Sequence, residues 1–337
     1  MQKNQVSRTS LGAAFMRGYH ALYDNSKIFD DPLAYSLLTK EERSLIARRL
    51  IEMLQSVDPA GAASCPDETS ALERVLQLLA SAATVLSRAR YAEEALAQAV
   101  SQGVRQYVIL GAGMDTFAFR CRDMLERLDV FEVDHPATQA FKRDRIAGLG
   151  WEIPVQLHLV SVDFAKEDLD KILKRPPYDP RALTFFSWLG VTYYLSRDTV
   201  FDTLSAVARI SPRGSMIVFD YLNPNVYSAG KATERVKAVM DSLQSLGEPL
   251  KTGFDPSTLD CDLARIGLAL QENLTPSDIQ QRYFEGRTDG YRASQHIHFA
   301  LAAEIKKNIM PGLIIFNAVA YTRETSLHLA LACNSGC

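Results

Sequence analysis

The chain has 337 residues, 47% of them hydrophobic, which is enough to bury a sizeable core in one large domain or two. Its formal net charge of -3 provides no overall attraction to nucleic acid or to an anionic membrane, so we expect neither as a partner. The polar first residues lack a signal-peptide pattern, and no apolar run approaches the roughly 18 residues that cross a bilayer. We therefore expect a cytoplasmic protein.

The cysteines do not form a pattern. They are odd in number and widely spaced, which predicts reduced thiols rather than a disulfide framework or a zinc site. We expect no metal site from the five positions Cys65, Cys121, Cys261, Cys333 and Cys337.

Residues 8–100 are predicted to be helical. Three stretches, at 11–23, 41–54 and 71–100, carry apolar residues at intervals of three and four, with few helix breakers. Pro32 interrupts the pattern between the first two stretches. We assign residues 1–87 to a helical N-terminal cap and residues 88–337 to the main domain.

From Gly103 onward, short apolar strands alternate with helical stretches. This alternation predicts an α/β fold, with a mostly parallel Rossmann-like sheet that has helices on both faces. The first five predicted strands lie in "RQYVILGAG", "LDVFEVD", "VQLHLVSVDF", "RALTFFSWLGV" and "SMIVFDYL".

Two further strands are expected to complete a seven-stranded sheet, in "ALQENLT" (269–275) and "GLIIFNAVAYTRE" (312–324). Residues 222–250 are predicted to form a lid insertion containing a polar helix, and residues 276–307 a second cap-like segment. The cap elements are expected to cover the carboxyl edge of the sheet, where open α/β sheets bind their ligands.

The loop after the first predicted strand reads "GAGMDT". Gly111 and Gly113 allow the backbone to approach a ligand closely. A dinucleotide-binding turn has a third glycine three positions after the second, but this chain has Thr116 there. Asp115 would also place a carboxylate beside the pyrophosphate. The loop therefore disfavours a nicotinamide dinucleotide and suits a neutral or cationic ligand.

Carboxylates end the next two predicted strands. Asp134 lies 23 positions after Gly111, near the roughly 20 at which an acidic residue reaches ribose hydroxyls. Asp163 and Phe164 end the third strand, where a carboxylate can accept from an adenine amino group and a ring can flank the base. The pattern indicates a pocket for an adenosine without phosphate, such as S-adenosylmethionine. The alternative is that these carboxylates only cap the following helices.

Four stretches carry a resemblance to a known family. The chain resembles the S-adenosylmethionine-dependent methyltransferases of the leucine carboxyl methyltransferase family. It is most similar to their bacterial O-methyltransferase branch, which includes polyketide-modifying enzymes. The match runs in order from about Arg8 to Glu324 and rests on "IFDDPLA", "RARYAEEALAQAVSQGVRQYVILGAGMDTFAFR", "VFEVDHPATQAFKRDRI" and "SWLGVTYYLSRDTV".

The resemblance implies that S-adenosylmethionine is the methyl donor. It implies that Arg88 grips the methionine carboxylate, for which a forked guanidinium is well shaped. It further implies that Asp134 binds the ribose and that Asp163 and Phe164 lie beside the adenine. The family's donor loop corresponds here to Gly111, Ala112, Gly113 and Asp115.

One position departs from the family pattern. Family members usually have a glutamate just before the Gly-Val that follows the fourth strand, but this chain has Leu189. We therefore expect donor binding to be either weakened or rearranged, in the second case with Trp188 stacking on the donor. The departure also keeps open a catalytically inactive S-adenosylmethionine-binding module.

Methyl transfer from a sulfonium is an in-line displacement, in which alignment matters more than an elaborate catalytic dyad. A carboxylate acceptor needs no base, whereas a hydroxyl acceptor would benefit from one, most often a histidine. The sequence does not single out any of the histidines, so no catalytic residue is predicted. Contacts with the acceptor are predicted for Arg17, Tyr19, Tyr193 and Tyr283.

The predicted function is S-adenosylmethionine-dependent O-methylation of a carboxylate or hydroxyl of a small molecule, for example a polyketide. An NAD-dependent Rossmann oxidoreductase would share the same sheet and is the alternative from another class of enzyme. Oligomeric state does not follow from the sequence.

Overall fold

The structure is a computed structural model, and it describes residues 7–163, 167, 169–173, 177–227 and 249–305. By compactness the chain divides into Met1–Ile305 and Lys306–Cys337, and every described residue belongs to the first unit. Within the described ranges, no helix has both the length and the apolar character needed to cross a bilayer.

The N-terminal third of the described chain is helical, as predicted. Thr39 and Glu42 form a capping box at the start of the third helix, in which each side chain accepts a backbone N–H of the other residue. The helices are α1 (Arg8–Tyr23), α2 (Leu33–Ser36), α3 (Lys40–Val57), α4 (Pro59–Ser64), α5 (Glu68–Leu78) and α6 (Ala80–Ser101).

Helix α6 is the longest of these helices, with 22 residues. The predicted boundary at residues 87 and 88 falls in its middle, so no linker separates a cap from a main domain at that point. Residues on both sides of that boundary, such as Leu86 and Leu96, are fully buried in the same apolar core.

Seven strands form one sheet, in the order β3-β2-β1-β4-β5-β7-β6. Strands β1 to β5 pair in parallel, and β7 runs antiparallel to both of its neighbours. The strands are β1 (Gln106–Leu110), β2 (Asp129–Asp134), β3 (Leu157–Ser161), β4 (Thr184–Trp188), β5 (Met216–Leu222), β6 (Leu268–Leu274) and β7 (Ile297–Glu304). The predicted α/β class, with a seven-stranded mostly parallel sheet, is confirmed.

The later helices lie between the strands along the chain. They are α7 (Phe117–Arg120), α8 (Pro136–Gly148), α9 (Leu169–Leu173), α10 (Arg197–Ile210), α11 (Leu259–Arg265) and α12 (Pro276–Tyr283).

Apolar side chains cover both faces of the sheet. On β1, Tyr107 and Ile109 belong to the core that includes the N-terminal helices, whereas Val108 and Leu110 belong to a second core on the opposite face. A strand buried on both faces is a continuous apolar run rather than an alternating one. This explains why "YVIL" contains no polar residue.

The last strand differs from the prediction. The strand that pairs with both β5 and β6 is Ile297–Glu304, which lies inside the segment predicted as cap-like. That segment therefore holds α12 and β7. The strand predicted at 312–324 lies outside the described residues, as does most of the insertion predicted at 222–250.

The order of the strands places a crevice at the carboxyl ends of β1 and β4. The chain proceeds from β1 to β2 and β3 on one side, and β4 then pairs with β1 on its other side. Ligands of open α/β sheets bind at such a reversal, which is where the loop after β1 begins.

Candidate functional site

The loop after β1 requires glycine at two positions. Gly111 has φ +69°, and a Cβ there would lie 2.7 Å from Val191 Cγ2. Gly113 has φ +52°, and a Cβ there would lie 3.0 Å from the Cβ of Ser10 on α1. These positive φ angles disfavour side chains whatever the available space. The loop is thus packed closely on both sides.

Asp134 lies at the end of β2 and closes onto this loop. Its Oδ2 accepts the Gly113 N–H at 2.6 Å, and its Oδ1 accepts the His135 N–H at 2.6 Å. Burial raises the pKa of this carboxyl, although both N–H groups oppose that effect. Each carboxylate oxygen has a further lone pair, which fits the predicted role of accepting from ribose hydroxyls.

The same contacts argue against a diphosphate-bridged coenzyme. The Gly113 N–H, which would face a pyrophosphate, already donates to Asp134. Asp115 Oδ1 accepts the Phe117 N–H at 2.7 Å and so occupies the start of α7, which has only four residues. The third-glycine position, Thr116, is fully buried and donates through its hydroxyl to Asp31 Oδ1 at 2.6 Å.

Asp163, predicted beside the adenine, is half-buried two residues after the end of β3. Its backbone N–H donates to Glu167 Oε2 at 3.0 Å. Phe164, its predicted partner, lies outside the described residues.

Arg88 on α6 reaches the ends of β4 and β5. Its Nη1 donates to Tyr193 Oη at 2.8 Å and to Asp220 Oδ2 at 3.0 Å. Asp220 is fully buried, and its Oδ1 accepts the Gly190 N–H at 2.6 Å. Burial alone would lower the pKa of Arg88, but Tyr193 and Asp220 raise it, so the guanidinium is charged.

Gly190 allows this cluster to form. It has φ +73°, and a Cβ there would lie 2.4 Å from Arg88 Nη2. The guanidinium thus packs directly on the backbone of the turn after β4. Leu189, at the position of the family glutamate, lines the cavity, and the carboxylate bonded to this turn is that of Asp220.

Trp188, predicted to stack on the donor, is only 1% exposed and packs in the core on the far face of the sheet. Its indole N–H has no hydrogen-bond partner in the part of the chain that the structure describes. The preceding residue, Ser187, faces the other way and bonds to the Tyr107 hydroxyl at 2.9 Å.

The structure brings two of the four predicted acceptor residues to the cavity and leaves two elsewhere. Arg17 and Tyr193 line it. Tyr19 instead packs among cap aromatics, 4.6 Å from Tyr23 between ring centroids. Tyr283 donates to Glu94 Oε2 at 3.1 Å. Neither aromatic lines the cavity, because the face of α1 that carries Tyr19 packs within the cap, and the face of α12 that carries Tyr283 contacts α6.

Two buried carboxylates were not anticipated. Asp220 is the fifth of the seven residues of the apolar strand "MIVFDYL", and an acidic residue in the carboxyl-terminal half of such a buried strand was a usable signal. Asp31 lies in "IFDDPLA", a stretch that carries the family resemblance but for which the sequence predicts no role in the site. Asp31 is 1% exposed and binds both Arg17 and Thr116.

Most of these groups line one cavity of about 1870 Å³, and Thr116, Asp220, Tyr19 and Tyr283 do not. We call one end of the cavity the donor end, because eight of the residues predicted to bind the donor are among its lining, together with Gly190, which was not predicted. The eight are Arg88, Gly111, Ala112, Gly113, Asp115, Asp134, Asp163 and Trp188, of which Trp188 has its side chain in the core on the far face. We call a second part of the lining the acceptor end, and it includes Arg8, then Ile46, Arg49, Leu50, Met53 and Val57 on α3, Leu78 and Leu79, and Lys251, Arg292 and His296.

Two of the histidines that the structure describes line the cavity. His135 Nδ1 accepts the Ala137 N–H at 3.2 Å and caps α8. His296 is buried, and its Nε2 has no partner among the described residues. Burial lowers the pKa of His296, so its ring is neutral at pH 7. No three His, Cys, Asp or Glu side chains in the described ranges gather as a metal site.

Comparisons with known proteins point to one family. A profile of the leucine carboxyl methyltransferase family matches residues 10–208. The Bacillus subtilis strain 168 protein YktD, named as an S-adenosyl-L-methionine-dependent methyltransferase, is 36% identical over 305 residues, which are 90% of this chain and 100% of YktD. A Mycolicibacterium paratuberculosis protein named as the same kind of methyltransferase is 30% identical, over 62% of this chain and 64% of its own length.

A solved structure of a DUF574 family protein from Streptomyces avermitilis has the same fold. Its TM-score is 0.50 at 14% sequence identity, and the match covers 77% of this chain and 96% of that one.

The family match covers more than half of the chain. In the donor loop the N–H groups of Gly113 and Phe117 already donate to Asp134 and Asp115, which disfavours a pyrophosphate. The glycines, Arg88 and the strand-end carboxylates of the cavity fit S-adenosylmethionine, and the predicted donor is confirmed by the relatives. The chain belongs to the leucine carboxyl methyltransferase family of S-adenosylmethionine-dependent methyltransferases.

Proposed function

We propose that the protein methylates an oxygen atom, most readily of a carboxylate, on a small acidic molecule that has an apolar body. The observation that carries this proposal is the continuity of the cavity, which runs from the donor loop into the cap helices. Ligand pockets commonly measure roughly 300 to 1000 Å³, so about 1870 Å³ has room for a donor and a second small molecule.

The acceptor end has an apolar wall. Ile46, Leu50, Met53 and Val57 follow one another on α3 at intervals of four, three and four, and so form a single stripe along the helix. Leu78 and Leu79 continue this lining. Such a wall favours an acceptor whose body is apolar.

Charge at the acceptor end is mainly positive. The cavity-lining cations there are exposed and make no ion pair with any described residue, and Glu52 is the one acidic residue of α3 that lines the cavity. An anionic acceptor would supply the missing counter-charge. The four cations are Arg8, Arg49, Lys251 and Arg292.

The residues of the chain would contribute binding and alignment. S-adenosylmethionine, when bound, supplies the methyl group on a sulfonium. Arg88 would hold its carboxylate end, and Asp134 its ribose. The acceptor-end cations would hold a carboxylate acceptor ionised, so that one oxygen attacks without a base. The resemblance to carboxyl methyltransferases supports this choice of acceptor atom.

A hydroxyl acceptor is the second candidate, and His296 favours it. This ring is neutral and lines the acceptor end, and its Nε2 lacks a partner among the described residues, so it could take the hydroxyl proton. The two candidates differ in their response to His296→Gln. Methylation of a carboxylate should persist in this variant, and methylation of a phenol should fall by about 100-fold.

The test is a methylation screen with isotopically labelled S-adenosylmethionine, read by mass spectrometry. It compares apolar carboxylic acids, their amides and matched phenols. Labelled methyl esters of the acids, with no product from the amides, are expected. Binding of S-adenosylhomocysteine without labelled product from any acid or phenol would contradict the proposal and favour the inactive binding module.

A further inference from the structure

The donor loop is held by residues of the cap that lie about a hundred positions earlier in the chain. Asp31 provides the main contact. It is 1% exposed, and its carboxylate accepts from Arg17 Nε at 2.8 Å, from Thr116 Oγ1 at 2.6 Å and from the Ala34 N–H at 3.1 Å. These partners occupy both carboxylate oxygens, so Asp31 acts on its neighbours in the protein.

Helix α1 touches the same loop at two further points. Arg17 Nη2 donates to the Met114 carbonyl at 2.7 Å. Ser10 lies against Gly113, with its Cβ 3.0 Å from the position of a Gly113 Cβ. Residues 113, 114 and 116 are therefore each held from the cap, in a stretch between β1 and α7 that has no regular secondary structure of its own.

The charges around Asp31 are balanced. Arg120 Nε lies 3.6 Å from Asp31 Oδ1, and its Nη2 donates to Glu93 Oε1 at 2.5 Å. With Arg17 this makes two cations and two anions, all largely shielded from water. Burial would raise the pKa of Asp31, but Arg17, Arg120 and the Thr116 hydroxyl bring it below the ordinary value, so the carboxylate is ionised.

We infer that Asp31 is a positioning residue for the methyl donor, which acts by fixing the donor loop through Thr116 and Arg17. The Gly113 N–H and Asp134, which form the ribose end of the predicted donor site, keep their geometry only while the loop between them is fixed. A loop that is ordered before binding costs the ligand less ordering entropy. The cap thus takes part in binding the donor, in addition to its place at the acceptor end.

The test measures binding of S-adenosylhomocysteine by calorimetry to the full chain and four variants. Asp31→Asn removes the charge, and Thr116→Val removes the hydroxyl. Each should weaken binding about tenfold, the size of one lost hydrogen bond to a charged group. Thr116→Ser restores the hydroxyl and should bring affinity to within about threefold of wild type.

Arg145→Ala is the matched control. Arg145 Nη2 pairs with Glu42 Oε1 at 2.5 Å and so joins α8 to the cap helix α3 without touching residues 111–116. It should lower stability slightly and leave the affinity for S-adenosylhomocysteine unchanged.

Wild-type affinity in Thr116→Val would overturn the inference. An equal loss in Thr116→Ser and Thr116→Val would also overturn it, because packing rather than the hydroxyl would then be responsible. If Asp31→Asn does not fold, the two Thr116 variants decide the question alone. Each variant is compared with the wild-type chain. Because the ligand is S-adenosylhomocysteine, the result does not depend on which acceptor the protein methylates.

Discussion

The two ends of the cavity are built in different ways. At the donor end, charged groups are buried and paired, as in Arg88 with Asp220 and Arg17 with Asp31. At the acceptor end, the cations are exposed and lie beside an apolar helix stripe. Buried charges are costly unless paired, whereas exposed ones change little when replaced. We therefore expect replacements at the donor end to reduce both stability and donor binding. Replacements at the acceptor end should leave stability nearly unchanged.

Replacing Asp220 with alanine should have the largest effect. It leaves the Arg88 guanidinium without its carboxylate partner in a largely buried position, and the free energy of unfolding should fall by about 3 to 5 kcal/mol. Urea denaturation measures this. The double variant Asp220→Ala with Arg88→Leu should lose less than the sum of the single variants, and additive losses would show that the pair is not coupled.

Arg88→Ala should have the next largest effect, on the donor. Loss of the charged contact that we propose between Arg88 and the donor carboxylate should weaken binding of S-adenosylhomocysteine by about 30- to 100-fold. Arg74→Ala is the control, because Arg74 pairs with Asp58 within the cap and does not line the cavity. Unchanged affinity in Arg88→Ala would remove this residue from the donor site.

Met53→Trp should act on the acceptor alone. The larger ring fills part of the apolar wall, so the KM for an apolar acceptor should rise about tenfold while affinity for S-adenosylhomocysteine stays at the wild-type value. Gln55→Trp, on an exposed and non-lining position of the same helix, serves as the control. Comparable losses in both variants would mean that the helix, and not its stripe, was perturbed.

The last expected effect concerns the pH dependence of stability rather than binding. Glu132 on β2 is fully buried beside Lys142, and burial raises the pKa of its carboxyl to about 7. Because this pKa is above that of the unfolded chain, its contribution to stability is complete below about pH 4.5 and is lost as the pH rises through about 7.

Glu132→Gln should remove this pH-dependent contribution to the free energy of unfolding. The difference in unfolding free energy between wild type and variant should change by roughly 2.5 kcal/mol between pH 5 and pH 8, since each pKa unit of the shift from 4.5 to about 7 corresponds to about 1.4 kcal/mol and most of the titration falls in this range. Denaturation curves at several pH values measure it. A difference that stays constant with pH would show that the Glu132 carboxyl titrates as it does in the unfolded chain.

The parts of the fold that local pattern determines were predictable. Strands β1, β2, β4 and β5 lie where short apolar runs follow one another, and strand-end residues such as Asp134 could be assigned to the crevice from order alone. Strand β7 was missed because Ile297–Glu304 is buried at most positions and includes His298, so it lacks the alternation of a half-buried strand.

Contacts between distant segments were not predictable. Asp31 and Thr116 are 85 positions apart, and no local rule connects them. Tyr19 and Tyr283 were predicted to contact the acceptor because of their residue type. The face that a helix turns toward the cavity, however, depends on packing. The position of Trp188 could have been read from β4, since neighbouring residues of a strand point to opposite faces and Ser187 takes the inner one.

Helix α6 also sets limits for anyone who wishes to redesign this enzyme. This one continuous helix carries Thr84 and Val85 on the cavity wall, Arg88 against Asp220 and Gly190, and Glu93, which accepts from Arg120. If α6 shifted by half a turn to make room for a bulkier acceptor, the Arg88 guanidinium would lose its contact with Gly190. Libraries aimed at new acceptors should therefore vary α3 and keep α6 constant.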